Sequence, residues 1–527
     1  MSESFLQIRL PPGHTEAELR AAVARRIRRQ PQDRADRWRI VRKAVDARRK
    51  SSIVIQYTIE VNPAEQGPRG LALLPELNAL PSASLRPVVV GAGPAGLFAA
   101  LYLATAGQAP LLIERGGPVE ERTVAVRQVW AGGTLDPECN VQFGEGGAGA
   151  FSDGKLTSHV KGLFSRAVLE ELVLAGAPEE ILYLSRPHIG TDLLVDVVRR
   201  VREKILAAGG EILFHTRMTG ISQRQGQLTG LHVEQRVGGQ RISREIAAKT
   251  LILAVGHSAR DTYAMLNRSG VALLAKPFAM GVRIEHLQSR IQAIQYGDGP
   301  AAALLPAADY RLVSHLENGR TVYTFCMCPG GQVIQAASEP ETLVTNGMSL
   351  HARADVNSNS ALLVSLTPQD FPHDGPLGGM YWQQELERAA WRAGGGRGEA
   401  PVQAVADFLG HELPPDPHPE LTGPSPSFLP GAAAADLTEI MPRWMSHALR
   451  DGLLDMNRRM PGFADGTAWL TGLETRSSAP LRIVRDDRMH SSVHGLIPCG
   501  EGAGYAGGIL SAAADGLRCA QAAAGIK

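Results

Sequence analysis

One segment of the chain, RPVVVGAGPAGLFAALYLATAGQAPLLIE (Arg86–Glu114), contains in order the parts of a strand–helix–strand unit that binds a dinucleotide. Pro87–Val90 is a short, β-branched run, typical of a parallel strand buried on both faces. A glycine-rich turn and a helix that begins near Pro94 follow it, and Ala109–Ile113 is typical of the next buried strand. This order predicts a Rossmann-like α/β fold.

The three glycines of the turn have separate expected roles. Gly91 permits a tight turn, Gly93 lets backbone amides approach a pyrophosphate, and Gly96 lets the helix pack closely on the strand. The amino end of the helix favours the negative diphosphate through its unpaired N–H groups. An acid that binds ribose hydroxyls is expected directly after the second strand. The predicted cofactor contacts here are Gly91, Gly93, Pro94, Ala95, Gly96, Glu114 and Arg115.

Two segments far downstream distinguish FAD from NAD. Gly495–Gly516 combines a short apolar strand, a glycine-rich loop and a helix start. In flavoproteins such a loop places an acid, here Glu501, on the ribityl chain, and the helix directs its positive end at the N1/C2 edge of the isoalloxazine. Thr250–Gly256 resembles the strand-and-turn ATG motif of two-dinucleotide-fold flavoproteins. Both segments favour FAD, and they predict as contacts Ala254, Val255, Gly256, Gly500, Glu501, Gly507, Gly508 and Ile509.

Four motifs together resemble one family: NVQFGEGGAGAFSDGKL, LAVGHSARDT, KPFAMGVRIEH and PCGEGAGYAGGI. Over nearly its whole length the sequence is similar to uncharacterised bacterial FAD-dependent dehydrogenases, which belong to the glutathione-reductase-like, two-dinucleotide-fold flavoproteins and lean toward fumarate reductases. The resemblance implies FAD as the cofactor, with main-chain contacts to adenine near Met218, and noncovalent attachment is the default. It implies less about the reaction, because few substrates are assigned in that family.

The glycine cluster 144–149 does not follow a strand as a second nucleotide fingerprint would, so Gly146 and Gly147 are expected to bring backbone next to the flavin. Ser152 and Lys155, in the loop after the cluster, are candidates to contact the flavin phosphates or N5.

Length and composition indicate several domains, because 527 residues with 44% hydrophobic content exceed what one core usually serves. We predict a small basic α/β module (1–62), a linker of low order (63–83), a Rossmann-like FAD-binding domain in two segments (84–275 and 470–527) and an inserted α+β substrate cap (276–469). Within the FAD-binding domain, ILFHTRMTGI (212–221) is predicted as one strand. The proline-rich passage 412–431 is predicted as a surface loop.

The amino-terminal module is predicted to contain strands at Phe5–Leu10 and Ile53–Val61. Between them a helix has its apolar positions at Leu19, Val23 and Ile27, and a basic stretch follows it.

Charge is distributed unevenly along the chain. The net charge is +1, yet the first fifty residues contain fourteen Lys or Arg and six Asp or Glu, which makes +8 locally. The runs Arg25–Arg29 and Arg48–Lys50 leave two alternatives open: a patch for RNA or an acidic protein, or a solvated face docked on the acidic remainder. The second is favoured, because no aromatic residue beyond Trp38 is interleaved with the charges.

Cysteine usage and hydropathy favour a cytoplasmic protein. The five cysteines are odd in number and scattered, and no secretory leader is recognisable. Long apolar stretches are interrupted by glycine and charge, so no membrane-spanning helix is expected.

A dehydrogenase needs a hydride donor or acceptor at flavin N5, a group for the accompanying proton and a cation for a carboxylate or enolate. His351 and Arg353 are expected on one strand face, where their pairing indicates either an anionic substrate or a structural salt bridge. For His257, a capping or surface role is the favoured alternative. The candidate catalytic residues are Lys155, His257, His351, Arg353 and Arg476.

The cysteine pair Cys326 and Cys328 is interpreted as two buried small hydrophobes, because its spacing suits neither a disulfide nor a metal site. No metal site is predicted. No second nucleotide-binding unit is recognisable, which disfavours a disulfide-reductase plan with separate FAD and NAD(P)H domains.

The leading hypothesis is an FAD-dependent oxidoreductase that moves a hydride between an organic substrate and FAD, and an anionic substrate is one option. NAD(P)H is an open candidate for a transient electron donor, and the oligomeric state is not predicted. Two alternatives stay open: a tRNA-modifying flavoprotein that binds RNA through the basic module, and a non-catalytic flavin sensor.

Overall fold

A computed structural model describes residues 4–27, 37–63, 68–77, 85–157, 162–416 and 423–525. The strands in these ranges are β1 (Ser4–Leu10), β2 (Trp38–Asp46), β3 (Val54–Val61), β4 (Val88–Val90), β5 (Leu111–Ile113), β6 (Glu211–Leu213), β7 (Thr216–Arg224), β8 (Gln227–Val237), β9 (Gln240–Ala247), β10 (Leu251–Leu253), β11 (Leu273–Ala275), β12 (Phe278–Leu287), β13 (Val313–His315), β14 (Thr321–Cys328), β15 (Gln332–Gln335), β16 (Thr345–Met348), β17 (Asn357–Leu366), β18 (Ala400–Ala404), β19 (Ala432–Ala434), β20 (Trp469–Glu474), β21 (Leu481–Ile483) and β22 (Leu496–Pro498).

The α-helices in the same ranges are α1 (Glu16–Ile27), α2 (Pro94–Thr105), α3 (Val119–Trp130), α4 (Leu163–Leu174), α5 (Thr191–Ala207), α6 (Arg260–Arg268), α7 (Gln288–Tyr296), α8 (Gly378–Ala393), α9 (Val405–Leu409), α10 (Arg443–Arg459) and α11 (Ile509–Ala523). None of these helices combines the length and the hydropathy needed to cross a bilayer.

A five-stranded parallel sheet of order β22-β10-β4-β5-β6 forms the Rossmann-type domain. Its central strands are buried on both faces, which explains their unbroken apolar sequences. The helices α2, α4, α5 and α11 share one apolar core with one face of the sheet. A Cβ on Gly96 would lie 1.8 Å from the Gly91 carbonyl oxygen, so glycine is required for the close packing of α2 on β4.

The predicted strand at 212–221 is two strands in different sheets, β6 and β7. His215 has a φ of 51°, and at this left-handed residue the chain leaves the parallel sheet. The second strand then opens an antiparallel meander, β7-β8-β9, which packs over the opposite face of the Rossmann-type sheet.

The inserted cap is built on a seven-stranded sheet of order β13-β14-β17-β12-β20-β18-β19. Its central pair is antiparallel, with Phe278 opposite Leu366 and Leu287 opposite Asn357. The helices α8 and α10 contribute to its apolar core. The last long strand, β20, pairs with β12 and β18, so the cap sheet continues to Glu474, past the predicted boundary at 469.

The amino-terminal module is a three-stranded sheet of order β1-β3-β2, covered by α1. Leu19, Val23 and Ile27 are buried as predicted. The basic stretch contains a strand, β2, that the sequence analysis missed because four of its nine residues are charged. Arg25 and Arg26 are exposed, and the rest of that basic run, 28–29, lies outside the described residues.

Backbone hydrogen bonds attach the module to the Rossmann-type domain. The N–H of Lys43 donates to the Tyr183 carbonyl over 2.8 Å, and Ser185 N–H donates to the Lys43 carbonyl over 3.0 Å. Leu305 of the cap joins the core of the module. The β2 surface is therefore partly covered by the rest of the chain.

The linker is more ordered than predicted. Its residues 68–77 pack on the Rossmann-type domain, where Gly70 N–H donates to Glu170 over 2.9 Å and Leu74 and Leu77 are buried. The remaining parts of the linker, 64–67 and 78–83, lie outside the described residues, as does 417–422 of the proline-rich passage. Phe428 of that passage is buried in the cap rather than exposed on a surface loop.

Candidate functional site

A cavity of about 330 Å³ lies between the carboxyl ends of the parallel strands and the cap sheet. Such an edge is where open α/β sheets bind ligands. At one end the wall is formed by the turn after β4, and at the other by Phe325 and Cys326 of β14 and Asn346 of β16. The cavity therefore joins the predicted nucleotide site to the predicted substrate cap.

Most of the predicted cofactor residues line this cavity, namely Gly91, Gly93, Pro94, Ala95, Glu114, Arg115, Ser152, Met218, Ala254, Val255, Gly256, Glu501, Gly507, Gly508 and Ile509. Four others lie in the layer behind it: Gly96, Gly146, Gly147 and Gly500. Gly146 N–H donates to the Ala92 carbonyl over 2.8 Å, and Gly500 N–H donates to Asp515 over 2.8 Å. Gly96 lets α2 pack on β4, the other three shape loops, and none of the four forms the wall.

The amino end of α2 opens into the cavity at Gly93, and no side chain of the described residues caps it. A Cβ on Gly147 would lie 2.9 Å from the Gly93 Cα, so the glycine cluster 144–149 packs directly on the turn. A Cβ on Gly93 itself would meet nothing closer than 3.7 Å. Space beside uncapped amides at a helix start is what a diphosphate requires.

Glu114, which directly follows β5, accepts hydrogen bonds from three backbone amides around the turn. Its Oε2 accepts the N–H of Ala92 over 2.7 Å, and its Oε1 accepts those of Gly116 and Gly144 over 2.9 Å each. A carboxylate has about four lone-pair sites, so one further donor, such as a ribose hydroxyl, fits the remaining capacity. Glu114 thus supports the loop in addition to its predicted ribose role.

Arg115 forms a flat polar surface beside Glu114. Its guanidinium lies 4.2 Å from the centroid of the Phe143 ring and donates to both carboxylate oxygens of Asp261 over 2.8 and 2.9 Å. Because it is held from two sides, Arg115 presents a fixed plane to the cavity, suited to stacking on a base.

The carboxy-terminal segment closes the cavity at the start of α11. Gly508 caps this helix with a φ of 95°, and its N–H donates to Glu501 Oε2 over 3.3 Å. Gly507 lacks a left-handed φ, and a Cβ placed on it would meet no atom of the described chain within 4 Å. Neither protein packing nor backbone conformation accounts for a glycine at 507. Room for a ligand against the backbone does, so the site fits a flavin over the helix start.

Glu501 has a raised pKa because its carboxyl is buried. Loss of solvation raises the pKa of its carboxyl to about 7, although the Gly508 N–H and Lys276 act in the opposite direction. The acid next to α11 is therefore partly protonated near neutral pH and able to donate as well as accept a hydrogen bond.

Three of the predicted catalytic residues line the cavity: Lys155, His257 and Arg476. Lys155 Nζ lies 4.0 Å from Asp153 Oδ2. His257 Nδ1 lies 3.1 Å from the Ser258 hydroxyl. Burial, followed by the charges of Arg476 and Arg260, lowers the pKa of His257 to about 4, so its imidazole is neutral at neutral pH.

Arg476 is held by a network behind the wall. Its Nη2 and Nε donate to the two oxygens of Glu387 over 2.7 and 3.0 Å, and Nη1 donates to the Ser338 hydroxyl over 2.6 Å. Glu387, fully buried, also binds Arg260 over 2.6 and 2.8 Å. Arg260 also donates to Glu339 over 3.0 Å, so the two guanidinium groups of this network are balanced by two carboxylates.

The predicted placement of His351 and Arg353 on one strand face was wrong. Both lie in the turn after β16 rather than on a strand, Arg353 has a φ of 49°, and neither lines the cavity. Arg353 Nε and Nη2 donate to the buried carboxylate of Asp153 over 2.9 and 2.5 Å. His351 stacks on His188 with 5.3 Å between the ring centroids. Of the two alternatives, the structure shows the salt bridge.

The interpretation of the cysteine pair was right for Cys328 and wrong for Cys326. Phe325 pairs with Ala361 and Cys328 with Asn359, so β14 contains one extra residue, a β-bulge. Cys326 has a φ of 43° in this bulge and lines the cavity, whereas Cys328 is fully buried. Strict alternation along a regular strand, the only signal in the sequence, does not reveal such a bulge.

Several residues that line the cavity belong to motifs noted in the sequence analysis, but no role was predicted for these residues. Gln142 and Phe143 belong to the segment that carried the family resemblance, and Asn346 and Glu474 flank predicted catalytic residues in sequence. Asn346 lies within β16 and Glu474 is the last residue of β20, and neither strand was predicted from the sequence.

Three family models match the chain. A domain of unknown function matches residues 1–62, the pyridine nucleotide-disulphide oxidoreductase model matches 85–286, and the C-terminal-domain-like model of FAD-dependent proteins matches 277–477. With the cavity described above, they define a flavoprotein of the oxidoreductase class whose cofactor is FAD.

A protein from Clostridium beijerinckii, described only as uncharacterized, is 44% identical over 497 residues, which cover 92% of this chain and 91% of that protein. The chain belongs to the family of this clostridial protein, an uncharacterised family of FAD-dependent oxidoreductases.

Three of the solved structures that are similar to this chain have low sequence identity to it. The flavin-dependent brominase Bmp2 is 13% identical with a TM-score of 0.36, over 85% of this chain and 79% of that chain. E. coli quinol fumarate reductase FrdA is 13% identical with a TM-score of 0.35, over 85% and 70%. A geranylgeranyl bacteriochlorophyll reductase-like protein from Thermoplasma acidophilum is 12% identical with a TM-score of 0.32, over 84% and 78%.

Proposed function

We propose that this protein transfers a hydride between noncovalent FAD and a small organic anion held under the cap. The observation that carries the proposal is the continuity of one cavity from Gly93 and Glu114, through Gly508, to Phe325 and Asn346 of the cap. A substrate in the cap portion would face the flavin without leaving the cavity. Bound FAD would supply the two-electron acceptor or donor.

The amino end of α11 has a defined part in this chemistry. Its peptide dipoles point their positive end at the cavity beside Gly507 and Gly508. Positive potential there stabilises negative charge on the edge of a reduced flavin ring. Partly protonated Glu501 adds a hydrogen-bond donor at the same place.

Lys155 is the cation best placed for a substrate carboxylate. The nearby Asp153 is already satisfied by Arg353 and by the Ser349 hydroxyl, and its distance to Lys155 Nζ is the longest of these contacts, 4.0 Å. The ammonium is therefore free to turn toward a ligand. Arg476, paired with Glu387, is a second cationic group in the same wall.

His257 orients the substrate rather than exchanging its proton. Its low pKa keeps the imidazole neutral, and Nδ1 is engaged with Ser258, so Nε2 is the nitrogen available for one hydrogen bond to the substrate. Phe325 gives the cap side of the same cavity an apolar surface.

The test is an anaerobic visible spectrum of the FAD-loaded protein, mixed in turn with NADH, NADPH and a panel of carboxylated, aromatic and polyene metabolites. Bleaching of the oxidised-flavin band by a carboxylated compound supports the proposal. Lys155→Met should then raise the concentration needed for half-maximal bleaching at least tenfold, and Lys50→Met, an exposed lysine in the amino-terminal module, should not. A flavin that no donor bleaches contradicts the proposal and favours a sensor.

A further inference from the structure

A chain of hydrogen bonds connects the His257 ring to the backbone of the cap. Gln142 Nε2 donates to the carbonyl of Ala336, which follows β15, over 3.1 Å. Gln142 Oε1 lies 3.1 Å from the Ser258 hydroxyl, and the same hydroxyl lies 3.1 Å from His257 Nδ1. The side chains of Gln142 and Ser258 are buried, so water does not offer them alternative partners.

The direction of each hydrogen bond in this chain is determined from the Ala336 end. A carbonyl oxygen only accepts, so the amide atom of Gln142 beside Ala336 is the nitrogen and the other is the oxygen. An amide oxygen also only accepts, so the single proton of the Ser258 hydroxyl points at Gln142 Oε1. The hydroxyl oxygen is then the acceptor toward His257, and this last bond requires a proton on Nδ1.

The other ring nitrogen of His257 is left as an acceptor. No hydrogen bond within the described part of the chain engages Nε2, and Nε2 is not one of the buried atoms there that lack a partner. It therefore keeps accessible surface, on a ring that lines the cavity. A neutral imidazole has one proton, and since Nδ1 holds it, Nε2 can only accept. The pKa of about 4 keeps a second proton off the ring at neutral pH.

The charged groups around His257 place its ring beside the cap. Arg476, Arg260 and Glu387 act on its pKa, and of these Arg476 follows β20 and Glu387 lies on α8. A ligand group that binds Nε2 is therefore expected to belong to the substrate. The two arginines act on the ring more strongly than Glu387, so a neutral donor suits this position better than an ammonium group.

We propose that the substrate is a hydroxylated carboxylate whose hydroxyl group donates to His257 Nε2, and that Gln142 and Ser258 are the positioning residues that impose this preference. The inference rests on the proposed function, in which Lys155 binds the carboxylate. An ether or carbonyl oxygen in place of the hydroxyl would face the lone pair of Nε2 with no proton between them, which disfavours such compounds.

The first test determines the tautomer of His257 and needs no substrate. The FAD-loaded protein is labelled with ¹⁵N in the histidine rings, and correlation spectra over two bonds distinguish a protonated ring nitrogen from an unprotonated one. The chain has fifteen histidines, and the signals that His257→Gln removes are those of His257. We expect a protonated Nδ1 and an unprotonated Nε2 at pH 7. A neutral ring with its proton on Nε2 overturns the inference.

Two variants test the positioning roles. In Gln142→Leu the Ser258 hydroxyl loses its acceptor and can donate to Nδ1, so the ring proton should move to Nε2. Ser258→Ala should also raise the population of the Nε2–H form, because Nδ1 loses its acceptor. An unchanged His257 tautomer in both variants overturns the assigned roles.

Ser222→Ala is the matched control for Ser258→Ala. Ser222 lies between a histidine and an acceptor in the same way, since its hydroxyl donates to Glu245 over 2.6 Å and lies 3.0 Å from His232 Nε2. It belongs to the β7-β8-β9 meander and does not line the cavity. The control should leave the His257 signals unchanged.

The second test uses the first carboxylated compound that bleaches the flavin. Its O-methyl ether should bind about tenfold more weakly in competition with it, because the ether lacks the donor. A compound that bleaches the flavin but has no hydroxyl group, or an ether that binds equally well, overturns the substrate class. If no compound bleaches the flavin, the proposed function fails and the substrate class fails with it, whereas the tautomer and the roles of Gln142 and Ser258 are decided separately by the spectra.

Discussion

Arg476 Nη2 lies 2.7 Å from Glu387 Oε2, and this ion pair joins the cavity wall to α8 of the cap. The side chain of Glu387 has no exposed surface and that of Arg476 is 3% exposed. Arg260, from the Rossmann-type domain, shares the same carboxylate. Removal of one charge therefore affects both the cavity and the contact between the two domains.

Glu387→Gln should destabilise the protein by about 3–5 kcal/mol, because it leaves the buried guanidinium of Arg476 without a negative partner and Arg260 with Glu339 alone. The free energy of unfolding in urea is the measurement. Glu385→Gln on the same helix is the control, since Glu385 is 53% exposed and should contribute within about 1 kcal/mol. Equal stability of the Glu387→Gln variant and the wild type would contradict this account of the network.

The same pair predicts a response to acid. Arg260 and Arg476 hold the pKa of Glu387 well below its usual range, although burial alone would raise it. A carboxyl with a depressed pKa stabilises the folded state above the pKa of the unfolded chain, and this contribution is lost as pH falls below it. The stability difference between wild type and Glu387→Gln should therefore shrink when unfolding is measured below about pH 4.

Gly507→Ala should weaken FAD binding at least tenfold, because the added methyl group would occupy space that the described chain leaves open beside α11. The FAD-free protein should keep its stability within about 0.5 kcal/mol. Titration of flavin fluorescence measures the affinity. Gly299→Ala is the matched control, since a Cβ there also meets no atom within 4 Å but lies outside the cavity. An unchanged affinity in the Gly507 variant would place the flavin elsewhere.

Glu501→Gln should remove a pH dependence of stability from the FAD-free protein. The pKa of Glu501 is raised to about 7 in the folded state from 4.5, so the wild type loses stability as pH rises from 4.5 through 7. The full loss is on the order of 3 kcal/mol. The variant, uncharged throughout, should lack it, whereas Glu317→Gln on an exposed turn should behave as the wild type. Parallel stability curves for the wild type and the Glu501 variant between pH 4.5 and 8 would refute the assignment.

Arg353→Gln tests whether this residue is structural. It should cost about 3 kcal/mol, since Asp153 is buried and would lose a bidentate partner. Its effect on FAD affinity should stay within threefold, because Arg353 does not line the cavity. Thermal unfolding and flavin titration together measure both. Arg388→Gln is the control, since Arg388 is exposed. A large loss of FAD affinity with unchanged stability would indicate instead that Arg353 contributes to the binding site.

Local backbone chemistry made much of the cofactor site predictable. The strand β4, the turn at Gly91 and Gly93, the start of α2 and the acid after β5 follow from short-range rules on glycine, helix ends and apolar runs. The second segment, around Gly508, was recognisable for the same reason. The strand β2 was missed, because its basic residues face outward and weaken the apolar pattern.

The polar side chains of the candidate active site were much less predictable than the cofactor contacts. The type of a residue does not reveal which distant side chains it will contact in the folded protein. Arg353 and Arg476 look alike in sequence, yet Asp153 holds one outside the cavity and Glu387 holds the other in its wall. Cys326 reaches the cavity only through a bulge and a left-handed φ.

The sequence by itself determined the Rossmann-type fold and the FAD site, because turns, helix starts and buried strands depend on residues close together in the chain. Only the tertiary structure decided which polar side chains face the cavity and in which charge state, because burial and partners from distant segments set both.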